Sequence, residues 1–250
     1  MSALMLRMIA CVAMLIDHIG FQYNIMVFRA IGRIAFPIFV YLICNGYHHT
    51  SSRLRYSLRL LLFAALSQIP FSLFCYGVLW QDHGNVFFTL LMALLSIWAG
   101  DELKRHKALR WAALVPALVV CISYHLGFMD SDYGARGILL ALVFYYFDGK
   151  SIKNRLAMLI GMLLSTYYVY VLRLGYYTFL GLMGRGFRLP WLNQWDLYQL
   201  FSLGALLLIF CYNGKKGNYP GGKLPAKALQ LGFYLFYPVH QLVLWIIRVL

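Results

Sequence analysis

Nine runs of apolar residues, at 3–22, 34–47, 58–79, 86–99, 111–128, 135–147, 156–180, 197–212 and 228–249, are separated only by short connections. A helix that crosses a bilayer needs about 20 largely apolar residues. The pattern therefore predicts an all-α polytopic membrane protein, a bundle of about nine transmembrane helices within a range of eight to ten. Composition removes the soluble alternative. Hydrophobic residues make up 62% of the 250 and charged residues 12%, with a mean hydropathy of +0.70, and no single soluble core hides that much apolar surface. No repeat at a fixed period is visible, so residues 1–250 read as a single transmembrane domain. Several runs are short and imply tilted or re-entrant helices. In the seventh, Arg173 interrupts a tyrosine-rich stretch, where a break is expected. The first run lacks a small-residue cleavage site and carries Asp17 and His18 near its end, so it is expected to be retained.

Charge sets the orientation. The net charge is +14, which in a soluble chain would suggest a nucleic-acid partner. Here the connections after runs two, four, six and eight hold the basic residues from Arg53, Arg55 and Arg59 through Lys215, Lys216, Lys223 and Lys227. All the lysines, Arg105 and Arg110 are among them. The opposite side holds Arg29, Arg33, Arg136, Arg185 and Arg188 and no lysine. The positive-inside rule then places the lysine-bearing connections and the N-terminus in the cytoplasm and the C-terminus outside. Nucleic acid is excluded as a partner, membrane lipids are expected, and a homo-oligomer is left open. None of the five cysteines stands at a CxxC spacing, so they read as reduced packing thiols with no metal site.

Ionisable residues inside spans are costly and are read as functional by default. The first run contains Arg7 and, eleven residues on, His18 beside Asp17. At ~100° and ~1.5 Å per residue, Arg7 and His18 share one helix face ~16 Å apart, whereas Asp17 is turned ~100° away. The bland alternative for His18 is an interfacial imidazole bonded to a carbonyl. Arg29, Arg185 and Arg188 read equally well as snorkelling anchors. Arg33 follows Gly32, a turn that returns it toward the end of the first run. The stretch from His48 and His49 through Arg53 and Arg55 forms either a phosphate cradle or a solvated basic loop. Asn85 is a helix N-cap or a hydrogen-bond donor to substrate. Tyr133 and Arg136 lie at an outward-facing helix start, capping or functional. His240, two residues after Pro238, sits at a depth comparable to His18. His18, Asp17, Arg33, Asn85, Tyr133, Arg136 and His240 thus fall in the outer half, and Arg7 with the basic connections in the inner half. That division suggests one continuous site, with a charged donor entering from the cytoplasm and an acceptor met from outside.

The strings Ile16-Asp17-His18-Ile19-Gly20, Gly32-Arg33-Ile34-Ala35-Phe36-Pro37-Ile38-Phe39, Asn85-Val86-Phe87-Phe88-Thr89, Asp132-Tyr133-Gly134 and Tyr237-Pro238-Val239-His240 together resemble the TraX family, whose founding member N-acetylates conjugative pilin. The interval from Arg7 to His18 is similar to a signature of the membrane acyltransferase-3 family. Residues 35–46 are similar to a segment of lysosomal heparan-α-glucosaminide acetyltransferase. The resemblance implies an integral-membrane acetyltransferase of the bacterial cytoplasmic membrane, moving an acetyl group from cytosolic acetyl-CoA to an amine or hydroxyl of a protein N-terminus, glycan or lipid. Spacing alone implies only a charged donor. On this reading His18 is general base or nucleophile, and Asp17 sets its tautomer or stabilises its charged form. Arg7, Arg33, His48, His49, Arg53 and Arg55 bind the donor, and Asn85, Tyr133, Arg136 and His240 bind the acceptor or the oxyanion. No metal is expected. The alternatives are a secondary transporter, although no related halves are visible, and a non-catalytic assembly protein.

Overall fold

The computed structural model describes residues 1–109, 112–184, 189–190, 197–217 and 223–250. Arg110, Arg185, Arg188 and the side chains of Lys223 and Lys227 lie outside the described residues. Every regular element among those described is helical: α1 (Ala3–Gln22), α2 (Met26–Gly32), α3 (Ala35–His49), α4 (Arg53–Tyr76), α5 (Val86–Arg105), α6 (Val115–His125), α7 (Gly134–Tyr146), α8 (Ile152–Leu182), α9 (Gln199–Phe210, its first turn 3₁₀) and α10 (Lys223–Val249). Each of the nine apolar runs coincides with a helix. Among the described residues six stretches are long and apolar enough to cross a membrane, one of them α2 and α3 together, and α6, α7 and α9 are shorter. The chain is a multi-pass helical membrane protein.

Sequence patterning explains the placement of the helices. Most of α3 is buried, including both of its faces, as expected of a helix that is apolar all round, and it forms the centre of the bundle. In contrast, α8 buries only Met158, Met162 and Ser165 among its 31 residues and lies at the periphery. The break expected at Arg173 falls instead at Tyr167, whose φ/ψ is non-helical. The basic residues Arg53, Arg55 and Arg59 are helical rather than in a connection, because the Ser52 hydroxyl caps α4 by accepting from the Arg55 N–H at 3.3 Å. The short helix α2 lies in what the hydropathy pattern leaves as a connection.

The two ends of the bundle differ in chemistry. At the lysine-bearing end, Arg53 pairs with Glu102 at 3.1 Å, the Tyr145 hydroxyl donates to Asp101 and the Ala3 N–H donates to the Lys215 carbonyl. The Asn45 amide donates to the Tyr212 hydroxyl at 3.2 Å, which joins these connections at one end. At the opposite end, the Gly84 N–H donates to the Asp130 carbonyl and the Asp132 N–H to the Gly84 carbonyl. The hydroxyl of Thr89 donates to the Asp132 carbonyl and fixes that loop against α5. All five cysteines are free thiols, three of them buried.

Helices α1 and α2 form a tight antiparallel hairpin. A Cβ added at Gly32 would collide with the Cβ of Asp17, and one at Gly20 would meet the Phe28 Cβ at 2.7 Å. Glycine is needed here for close approach. Gly32→Val should therefore force the hairpin apart and destabilise the protein by about 1–3 kcal/mol, read as a lowered thermal midpoint in detergent.

Candidate functional site

A cavity of about 650 Å³ runs between α1, α3, α4 and α10 and touches both ends of the bundle. Its walls are largely aromatic, with Phe36, Phe71, Phe74 and Phe87 among them. Such a volume suits a small-molecule or cofactor-sized ligand. Arg7 and His18, two turnings of the same helix face, both line it, and eleven residues of α1 separate them by ~16 Å.

At the end away from the lysines, one carboxylate holds two arginines. Arg29 Nη1 donates to Asp17 Oδ2 at 2.6 Å and Arg33 Nη2 donates to Asp17 Oδ1 at 2.5 Å. The three side chains are only 10–15% exposed. Arg29 and Arg33 stand four apart, on one side of α2 and its C-cap, and Arg33 Nε also donates to the Arg29 carbonyl at 3.3 Å. Beside them lie Asp132 and Tyr133. Burial raises the Asp132 carboxyl above its ordinary range, with Arg33 acting in the opposite direction. Tyr133 adopts a left-handed backbone (φ 66°) and stacks on Phe36 with ring centroids 3.5 Å apart. A non-glycine residue in that region costs of order 1–3 kcal/mol, and the strain lies against the cavity wall.

The partner of His18 is an imidazole, not a carboxylate. His18 Nδ1 lies 2.5 Å from His240 Nε2, and His240 Nδ1 lies 2.6 Å from the Phe236 carbonyl oxygen. The expected role of Asp17 toward the His18 tautomer is corrected accordingly: both carboxylate oxygens are committed to the arginines, because residue 17 faces α2 while residue 18 faces the cavity and α10. His240 is likewise a neighbour of His18 rather than a lining residue of the cavity.

At the lysine-bearing end the cavity is lined by Arg7, His49, Tyr56, Arg59, Lys216 and Tyr234. Gly46 admits the Tyr56 hydroxyl, which a Cβ there would meet at 2.8 Å. The Arg59 guanidinium lies 6.0 Å over the Tyr234 ring. The expected donor cradle is therefore only partly assembled. Of its members, Arg7, His49 and Arg33 line the cavity, although Arg33 does so at the far end. His48 stacks on Tyr145 with centroids 5.0 Å apart, Arg53 is spent on Asp101 and Glu102, and Arg55 is exposed, one turn outward of Arg59, and does not line the cavity. A helix that begins at Arg53 turns that residue away from Arg55 and Arg59, which share one face a turn apart, an arrangement a loop reading cannot anticipate.

Two further assignments are corrected. Asn85 caps α5, its Oδ1 accepting from the Phe87 N–H while its Nδ2 donates to the Ala64 carbonyl and to Gln68 Oε1. Both amide hydrogens are used, leaving none to donate to a substrate or oxyanion. Arg136 lines a separate pocket of about 30 Å³, shared with Arg33, Tyr133 and Ser165. Arg29, for which an interface anchor and a site role are equal readings of the sequence, joins the site. The signal for it was its spacing of four from Arg33, visible only once residues 26–32 are taken as helix. Arg59, Lys216 and Tyr234 carry no local motif and are assembled by the fold alone.

The sequence profile described as TraX protein matches residues 2–248. A protein of Dichelobacter nodosus described as "Probable fimbrial assembly protein FimC, serogroup H1" is 27% identical over 260 residues, covering 96% of this chain and 92% of that protein. No solved structure matches.

The Asp17 cluster gives a direct stability test. Asp17→Asn leaves two buried guanidinium groups without their counter-charge, and removing one partner of a buried pair costs about 3–5 kcal/mol. The variant should melt well below wild type in detergent. Arg33→Leu added to Asp17→Asn should recover part of the loss by removing one of the uncompensated charges.

Proposed function

This chain belongs to the TraX family, and from that premise we propose that it is an integral-membrane acyltransferase. It takes an acetyl group from acetyl-CoA at the cytoplasmic, lysine-bearing face of a bacterial inner membrane and delivers it to an amine or hydroxyl at the opposite face. The observation that carries this reading is one cavity lined by Arg7, Arg59 and Lys216 at one end and by His18 at the other. Cations at the mouth suit the phosphates of a nucleotide-bearing donor, and aromatic walls suit an extended arm ending in a thioester. The name of the Dichelobacter relative favours a subunit of a surface fibre as the acceptor.

In the transfer, His18 Nε2 takes the proton from the acceptor N–H or O–H as the acceptor lone pair attacks the thioester carbonyl carbon. The carbonyl electrons move onto oxygen, where the Arg29–Arg33 pair or the Tyr133 hydroxyl stabilises the developing charge. The C–S bond then breaks, and the departing thiolate recovers the proton from His18. General base catalysis of this kind contributes typically 10²–10⁴-fold. The same relative's name also fits an assembly protein without catalysis, in which the buried polar residues serve only to lock helices.

His18→Ala should abolish acetyl transfer while leaving membrane insertion intact. Arg7→Ala and Arg59→Ala should weaken acetyl-CoA binding with little change in kcat. Mass spectrometry of exported proteins and surface glycans, with and without the gene, reads the lost acetyl group. Wild-type transfer by His18→Ala would overturn the role given to His18, whereas no transfer by wild type, or fibre assembly preserved in His18→Ala, would favour the non-catalytic reading.

A further inference from the structure

The His18–His240 contact fixes the position of every proton on the two rings. The rings are within 8° of parallel, with centroids 4.8 Å apart and nitrogens 2.5 Å apart. A nitrogen contact that short between parallel rings leaves no room for a face-to-face stack, so the rings lie edge to edge in nearly one plane, as a linear hydrogen bond requires. On the far side, His240 Nδ1 meets the Phe236 carbonyl at 2.6 Å. A carbonyl oxygen can only accept, so His240 Nδ1 carries the proton. A second proton on the pair would create a buried imidazolium beside Arg29 and Arg33, and neither ring bonds a carboxylate among the described residues. An unpaired buried charge is costly. Each ring therefore holds one proton, and His240 Nε2 presents a lone pair. The hydrogen between the rings belongs to His18 Nδ1.

We infer that His240 is a positioning residue that holds His18 in the Nδ1–H tautomer and leaves the Nε2 lone pair bare, a neutral relay running His18–His240–Phe236 carbonyl. The catalytic consequence rests on the acyl-transfer reading; the tautomer does not. Two features of the fold support the relay. The second lone pair of a helical carbonyl is available to a side chain one turn along, which is where His240 stands relative to Phe236. The α10 segment that carries both is buried at Tyr237, Pro238, His240 and Gln241, so the ring has little room to rotate. His18 is further boxed by Phe74 at 5.1 Å and Tyr237 at 6.3 Å between centroids. A bare Nε2 is the state that a general base or an acyl-accepting nucleophile needs. The other tautomer would present an N–H to the substrate.

The test uses the full-length protein in nanodiscs with ¹⁵N-labelled histidine, His18 being assigned by difference from His18→Gln. Wild type should show His18 with a protonated Nδ1 and an unprotonated Nε2. His240→Phe keeps the ring volume and removes the acceptor. It should shift His18 toward the Nε2–H form and lower kcat for thiol release from acetyl-CoA, with hydroxylamine as the acceptor probe, by about 10²–10⁴-fold at unchanged KM for acetyl-CoA. His240→Gln, whose Oε1 reaches the place of Nε2 as an acceptor, should retain the Nδ1–H tautomer and a kcat within about tenfold of wild type. An Nε2–H tautomer in wild type overturns the inference. So does a His240→Phe protein with wild-type tautomer and rate, or equal losses in both variants. If wild type releases no thiol, the acyl-transfer reading falls, and the ¹⁵N spectra alone decide the relay: a tautomer shift in His240→Phe supports it and an unchanged spectrum overturns it.

Discussion

A single carboxylate shared by two guanidinium groups sets the geometry of the far end of the bundle. Asp17 belongs to a largely apolar helix, and its charge is tolerated because Arg29 and Arg33 each donate to a different oxygen. That arrangement draws α2 back against α1 so closely that residue 32 must lack a side chain. It also fixes the rotation of α1, and with it the direction of the next residue, His18. Three charges in a triad leave one positive charge in excess, and Asp132 supplies a carboxylate beside them on the cavity wall. The cost of moving these groups out of water is large. They are held in place by each other, so disturbing any one of them exposes the rest.

From that cluster the cavity acquires its polarity. Its middle is aromatic and aliphatic, its lysine-bearing end carries exposed cations, and its far end carries charges that are already paired. In an environment poor in water a fixed dipole or charge acts much more strongly than it does at a surface. On the acyl-transfer proposal, the far end is the preorganised reaction site and the near end the entrance. The strained backbone of Tyr133 lies at the same end, as strain commonly does where a side chain must be held against a ligand.

The helical architecture was legible because bilayer length and apolarity constrain a chain directly. The course of the connections was not. The seven residues from Met26 to Gly32 are apolar apart from Arg29 and are interrupted by it, so they read as a connection, yet as a helix they place Arg29 on the same carboxylate as Arg33. Likewise the helix capped by Ser52 begins about a turn and a half before the apolar run at residue 58, which points Arg53 away from Arg55 and Arg59, and of the three only Arg59 lines the cavity. The facing of Arg7 and His18 was readable from helical periodicity alone, and the depth of His240 from counting along its run. Their partners were not, since an imidazole beside a carboxylate in sequence points about 100° away from it in a helix. Asn85 shows the opposite limit: a residue that begins a helix is first a cap, through Oδ1, and its amide hydrogens are taken up by α4.

With Asp17 committed to the arginines, the tautomer of His18 has to be set by something else. A second carboxylate in contact with the imidazole would do so, as in a serine hydrolase triad, but would add another buried charge to a region that already contains four. An imidazole bonded to a backbone carbonyl performs the same orienting task while remaining neutral. It does not stabilise an imidazolium as a carboxylate would, so His18 can hold an abstracted proton only briefly. On the acyl-transfer proposal, this suits a sequence in which the C–S bond breaks soon after attack and the departing thiolate takes the proton from His18.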